Sequence, residues 1–178
     1  PAVGLTFELH QEARTIVDWC YAEDPHGLVW AIRDDGVLLS LQFSASGTAA
    51  WSRHETNGYV KAICSVPEGE EDAVYVVVER YVPTIGAIRY LERMNRRTRS
   101  STESFVEPTD DGAVDCALKY SGTPTDVISG LDHLKGVDVW VTCVGEYPMG
   151  PYRVANDGTV TLDKVPTPNT YVGISKTD

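Results

Sequence analysis

Between residues 15 and 94 apolar side chains alternate with polar ones in short runs closed by turn residues, the period-two signature of half-buried strands. Thr15 to Tyr21 reads as a strand. Leu28 to Arg33 and Val37 to Phe43 read as two more, joined at Asp34-Asp35-Gly36, a hairpin signal because glycine accepts a positive φ. Ala49 to His54 forms a fourth, with Trp51 expected on its buried face, and Asn57-Gly58 then marks a turn. Val60 to Val66 opens a further set. In Ala73 to Tyr81, Val74, Val76 and Val78 alternate with Tyr75, Val77 and Glu79, and the near-continuous apolarity predicts burial on both faces. Ala87 to Met94 follows as the last strand of this half.

These runs repeat. From Cys20 the chain passes through an acidic Pro/Gly turn, an apolar strand, a hairpin turn and another strand. From Cys64 it does the same, with turns at Pro67–Asp72 and Pro83–Gly86. The offset of the two cysteines matches the roughly 40–50 residue period of propeller blades. The fold expected is therefore all-β, with two propeller-blade-like antiparallel sheets over about 15–55 and 58–94, together a partial β-propeller across residues 1–100.

The composition then changes. Residues 93–104 are basic and then rich in Ser and Thr, as in a linker. Beyond lies a second domain, 104–178, read as a small β-barrel or sandwich. Its strands are expected at Ala113–Tyr120, at Val137–Val144, where alternation predicts one buried face, and at Tyr171–Ile174. Tyr152–Ala155 and Thr159–Val165 read as a hairpin closed by Asn156-Asp157-Gly158. A turn near Leu131–Leu134 is the one helical element allowed.

The net charge of −11 opposes a general nucleic-acid coat, whose footprint is a basic patch. No apolar run reaches the roughly 18 residues of a membrane-crossing helix, so membrane insertion is not expected. The start, Pro1-Ala-Val-Gly-Leu-Thr-Phe, lacks the basic and apolar regions of a signal peptide and reads as the beginning of a fragment or a processed chain. Cys20, Cys64, Cys116 and Cys143 have no CxxC spacing and lie in apolar segments, so reduced core thiols are the expectation, with a Cys116–Cys143 disulfide left open.

Candidate chemistry is sparse. Ser52, His54 and Glu55 carry the residue types of a hydrolase, but no G-x-S-x-G elbow accompanies them, and an edge strand with an anchored aromatic explains them better. His10, His26, His54 and His133 lack metal-ligand spacing, so no metal site and no cofactor are expected. The acidic turn Glu68–Asp72 has oxygen ligands suited to calcium but no EF-hand pattern. Asp34/Asp35 and Asp110/Asp111 are turn residues rather than a glycosidase pair. Arg93, Arg96, Arg97 and Arg99 form the basic cluster, fit for an acidic neighbouring subunit or, less favourably, for DNA phosphates. Trp140 and Tyr147 are the residues of a rival reading, a carbohydrate- or receptor-binding β-sandwich that stacks on sugars.

Three stretches together resemble a known family. They are Val29–Leu41 with Ala50–Gly58, Glu70–Arg80 with Arg89–Met94, and Ile128–Gly136 leading to Asp157–Leu162 and Tyr171–Ile174. In this order they resemble the tail-nozzle or tail-tubular proteins of tailed phages, the packaged-DNA stabilisation proteins. The resemblance covers roughly residues 15 to 174, and the chain departs from the family's pattern in the loops 42–49 and 144–151. It implies a propeller-like platform with an inserted barrel and a ring of copies, usually sixfold. It further implies portal, adaptor and other tail proteins as partners, DNA passing through the channel without sequence-specific binding, and a place in the virion tail after assembly in the host cytoplasm. No enzymatic activity is implied. A net acidic protein suits such passage, because each neutralised phosphate would add salt-dependent affinity and slow the DNA.

Overall fold

The computed structural model describes residues 14–43, 47–95, 114–143, 146–167 and 170–174. The chain is all-β and divides into two compact units, residues 1–80 with 89–98 and residues 81–88 with 99–178.

In the first unit, β1 (Ile16–Ala22), β2 (Leu28–Arg33), β3 (Leu38–Phe43) and β4 (Ala49–His54) make one antiparallel sheet in chain order. A second sheet is built from β5 (Tyr59–Glu68), β6 (Glu71–Val82) and β7 (Gly86–Arg93), with β6 in the middle; residues 81–88 at the far end of the β6–β7 hairpin belong to the second unit. Alternation decides which side chains meet. Trp30, Ile32 and Leu38 leave the first sheet on the face that packs against Val60, Ile63, Val74, Val76 and Val78 of the second. Each such aliphatic burial contributes about 1.5–3 kcal/mol. The expectation that β6 is buried on both faces is corrected. Val74, Val76 and Val78 are buried, whereas Tyr75, Val77 and Glu79 are half-buried on the far side, because no further sheet covers them among the described residues.

The Asp34-Asp35-Gly36 turn closes as its composition predicts. The Gly36 amide donates to the Arg33 carbonyl (2.8 Å) and the Arg33 amide to the Val37 carbonyl (3.0 Å). Gly36 has a φ of 81°, and a Cβ there would come within 2.8 Å of the Tyr59 Cβ, so the position requires glycine on two counts. The Gly36 carbonyl also accepts the Val60 amide (2.9 Å), which ties this hairpin to β5.

The equivalent parts of the two repeats meet. β1 lies against β5, where Asp18 Oδ2 accepts the Ile63 amide (3.2 Å). The acidic turns also touch. Asp72 Oδ2 accepts the amides of Glu23 (2.7 Å) and Asp24 (3.3 Å), and the Asp72 amide donates to the Asp24 carbonyl (3.2 Å).

The second unit contains β8 (Asp115–Tyr120), β9 (Val127–Ile128), a 3-10 turn (Asp132–Leu134), β10 (Asp138–Cys143), β11 (Met149–Arg153), β12 (Val160–Thr161) and β13 (Thr170–Ile174). A four-stranded sheet runs β11-β10-β13-β8, and β12 pairs with β9. Val139, Val141 and Val172 of the larger sheet share a core with Ile128 and Val160 of the smaller one and with Leu131 and Leu134 of the 3-10 turn. Between the two forms expected, this is sandwich-like packing, and the described strands do not close into a barrel. The expected hairpin over 152–165 is also corrected. Residues 155–159 do close a turn, with the Ala155 amide donating to the Thr159 carbonyl (2.8 Å), but its arms part into different sheets. The cause lies at Gly158, whose carbonyl accepts the Leu131 amide (2.9 Å) and whose missing side chain leaves room for Asp132. The turn is thereby held to the 3-10 segment, and the strand after it pairs with β9.

All four cysteines are free thiols. Cys64 departs from the core expectation. A bulge at Lys61 separates Val60 from Ala62 and resets the alternation of β5, which turns Cys64 outward opposite Tyr75.

Candidate functional site

His54 ends β4, across from Leu38 in the β3–β4 register. Its Nε2 lies 2.8 Å from the Oγ of Ser40, a residue buried on β3, and its ring sits 4.9 Å from that of Trp30. The expected grouping with Ser52 and Glu55 is therefore replaced. Ser52 pairs directly with Ser40 across the strands, and Glu55 is spent on an exposed ion pair with Arg53 (3.3 Å). A buried hydroxyl against an imidazole tilted over an indole suits an anchor for the sheet.

The acidic turn between β5 and β6 is held by protein groups. Arg93 donates to Glu71 (2.7 Å) and to Glu68 (3.1 Å), and Tyr75 donates its hydroxyl to the other oxygen of Glu68 (2.5 Å). The Glu71 carboxylate pushes the Arg93 guanidinium above its ordinary pKa, and the hydrogen bond to Glu68 raises that of Tyr75. Glu68 and Glu71 thus share the one guanidinium of Arg93, and Asp72 caps the opposing turn. Among the described residues no group of three or more His, Cys, Asp or Glu converges as a metal site would require. Arg93 is the described member of the basic cluster and is engaged inside its own sheet, while Arg96, Arg97 and Arg99 lie outside the described residues. His10, Asp110 and Asp111 also lie outside them.

In the second unit Trp140 is half-buried on β10, on the side away from the aliphatic core, and Gly150 passes close to its ring. Tyr147 is 92% exposed in the loop before β11. His133 sits in the 3-10 turn and reaches the Cys116 carbonyl (3.4 Å), a local contact.

Sequence reasoning missed the outward faces of the first unit. On the first sheet, Trp19 (63% exposed), Tyr21 (51%) and Phe43 (59%) stand on the face opposite the shared core, in line with half-buried Trp51. Trp19 aligns across the sheet with Ala31, Leu39 and Arg53, and Tyr21 with Val29, Leu41 and Trp51, but Ala31, Leu39 and Leu41 on the central strands are buried, so the exposed aromatics are edge and end positions of this face. The described carboxylates near this face are already paired: Asp35 binds Arg33 bidentately (2.9 and 2.8 Å) and Glu55 binds Arg53. The Arg33 hydrogen bonds hold the Asp35 carboxyl down at about 2. The signal was present in the alternation of Val17, Trp19 and Tyr21, but a period of two does not say which of two apolar faces meets a partner.

The outward face of the second sheet is built differently. Tyr59, Val66 and Leu91 are exposed there, interleaved with ion pairs. Glu79 binds Arg89 (3.1 Å) and Lys61 (3.3 Å), and both hold its carboxyl below the ordinary value, Arg89 the more strongly. No family model matches this sequence, and no curated protein matches it.

Proposed function

We propose that this chain is a structural module of a ring-shaped assembly of the phage tail-nozzle kind, which guides and retains packaged DNA and performs no catalysis. One observation carries the reading. The two sheets of the first unit repeat the same strand order, their first strands β1 and β5 lie together, and their acidic turns bind each other through Asp72. That is the relation of successive propeller blades, whose radial repetition leaves only short, protected sheet edges. The net charge of −11 supports a channel through which DNA passes without being held. Copies of the chain, portal or adaptor proteins and other tail proteins are its partners in this reading, and the virion tail is its place.

Negative-stain electron microscopy of the purified chain tests this. Ring-shaped particles with a central opening are the expected result; compact particles of one copy at tens of micromolar would count against it. A second reading has one observation in its favour, the near-complete exposure of Tyr147, which suits stacking on a sugar ring. Saturable quenching of tryptophan fluorescence by glycans, abolished in Tyr147→Ala, would favour that reading instead.

A further inference from the structure

We propose that residues 3–9 of one copy add beside β7 of a neighbouring copy, as the fourth strand of that copy's second sheet. The inference rests on the ring reading and names the segment that would join its subunits.

The first sheet has four strands and the second has three. β5 and β7 are the outer strands of the second sheet. β5 lies against β1, whereas among the described residues no strand lies beyond β7. The next described strand, β8, belongs to another sheet. The sequence between them does not read as a strand: from residue 95 to 113 the apolar side chains are Phe105, Val106 and Ala113, too few to alternate. A strand at a sheet edge presents a row of backbone donors and acceptors to which an extended segment can add.

The occupant is identified by pattern and by chain order. Val3, Leu5, Phe7 and Leu9 alternate with Gly4, Thr6 and Glu8, the period of a strand with one buried face. No other stretch outside the described residues alternates in this way. Residues 55–58 carry the chain from β4, the last strand of the first sheet, to β5, the first strand of the next. Residues 10–15 make the same step into β1 if 3–9 is the last strand of a sheet that precedes the first one. Within one chain the described residues hold no such sheet. In a ring of copies it is the neighbour's second sheet, which is the sheet one strand short. The contact joins two different surfaces, so it propagates head to tail and closes where the rotation allows.

Side chains agree with this placement. Tyr90 and Glu92 of β7 are half-buried on the inner side, where Glu92 binds Arg80, and Arg89, Leu91 and Arg93 are exposed on the outer side. An antiparallel strand with its apolar side inward and Glu8 opposite Arg89 sets Phe7 beside Tyr90 and Thr6 beside Leu91. Arg89 uses its Nε for Glu79 (3.1 Å), and a guanidinium has further donors for a second carboxylate. The added strand also covers Leu91, which is 72% exposed in the single chain.

The test uses the full-length chain carrying Thr6→Cys and Leu91→Cys together, oxidised and mapped by peptide mass. Directly opposed residues of an antiparallel pair lie within disulfide reach. A bridge between position 6 of one chain and position 91 of another is expected, seen as a covalent ladder on non-reducing gels that ends at the ring's copy number. A second variant, Phe7→Pro, removes a backbone donor from the added strand and is expected to weaken assembly by roughly tenfold or more in light scattering, with circular dichroism as the check on folding. The same bridge formed within one chain means that the segment completes its own sheet, and overturns the proposal. A bridge between two copies of position 91 means that β7 edges pair with each other and also overturns it. Assembly that persists in Phe7→Pro, with no bridge in the cysteine variant, overturns the shared strand and leaves the ring reading standing. A wild-type chain that stays single at every concentration removes both readings.

Discussion

Arg33, Glu71 and Arg80 lie buried in the first unit, whereas in the second Thr170 is the buried polar side chain among the described residues. The second unit is held by close-packed Val, Leu and Ile, a non-directional attraction that rewards any arrangement filling the space. The first unit uses directional pairs at the points where strand must meet strand in one register. Arg80 grips Glu92 with two bonds of 2.7 Å and donates also to the Asn57 carbonyl, which joins β6 to β7 and to the turn before β5. Arg33 grips Asp35 across its own hairpin. Bidentate guanidinium–carboxylate pairs cost desolvation but admit few alternative geometries. The second unit also carries a bidentate pair, Arg153 to Asp138 across β10 and β11, but there both side chains are exposed; the unit that repeats a sheet is thus the one that buries the charges fixing its register.

Glu92→Leu strikes hardest at this contrast, since it leaves the buried Arg80 guanidinium without its carboxylate. A loss of about 3–5 kcal/mol in chemical denaturation is expected, and the Arg80→Met/Glu92→Leu pair should recover most of it. A single Glu92→Leu variant within 1 kcal/mol of wild type would make the buried pair incidental. In the second unit, Leu134→Ala removes a fully buried side chain and should cost about 3 kcal/mol, with hydrogen exchange accelerating in β10 and β13 and not in β2 or β6. Acceleration in both units alike would erase the distinction between them.

Asp35→Asn probes the hairpin pair more gently. The folded carboxyl is held near 2, below its unfolded value of 3.8, so its contribution is complete above about pH 5 and fades as the pH falls from 4 towards 2. Because the pair is partly solvated, the variant should lose about 1 kcal/mol at pH 7, with a shallower decline in acid than wild type. Arg53→Ala breaks an exposed pair with Glu55 and should change stability by less than about 0.5 kcal/mol. A larger loss there would mean that the outer face of the first sheet depends on charge as the interior does.

The strands of both units were legible because alternation and turn chemistry are local. Asp34-Asp35-Gly36 needs no tertiary knowledge to be read as a hairpin, and the two acidic turns stand out as equivalent points of a repeat. What failed to show was register. That Ser40 rather than Ser52 reaches His54 follows from the diagonal offset of β3 and β4. That Cys64 points outward follows from one inserted residue at Lys61. The parting of the arms around Asn156–Gly158 depends on a contact with residue 132, far away in sequence. Trp19 and Tyr21 were visible as an alternating pair, yet their exposure comes from their place on the edge strand β1, since Ala31, Leu39 and Leu41 on the same face are buried.

Native mass spectrometry of the intact chain over a concentration series bears hardest on the annular reading. A single closed species of fixed copy number, giving way to one copy on dilution without a ladder of sizes, is what the account predicts. One copy throughout, or an open-ended series of growing sizes, would contradict it.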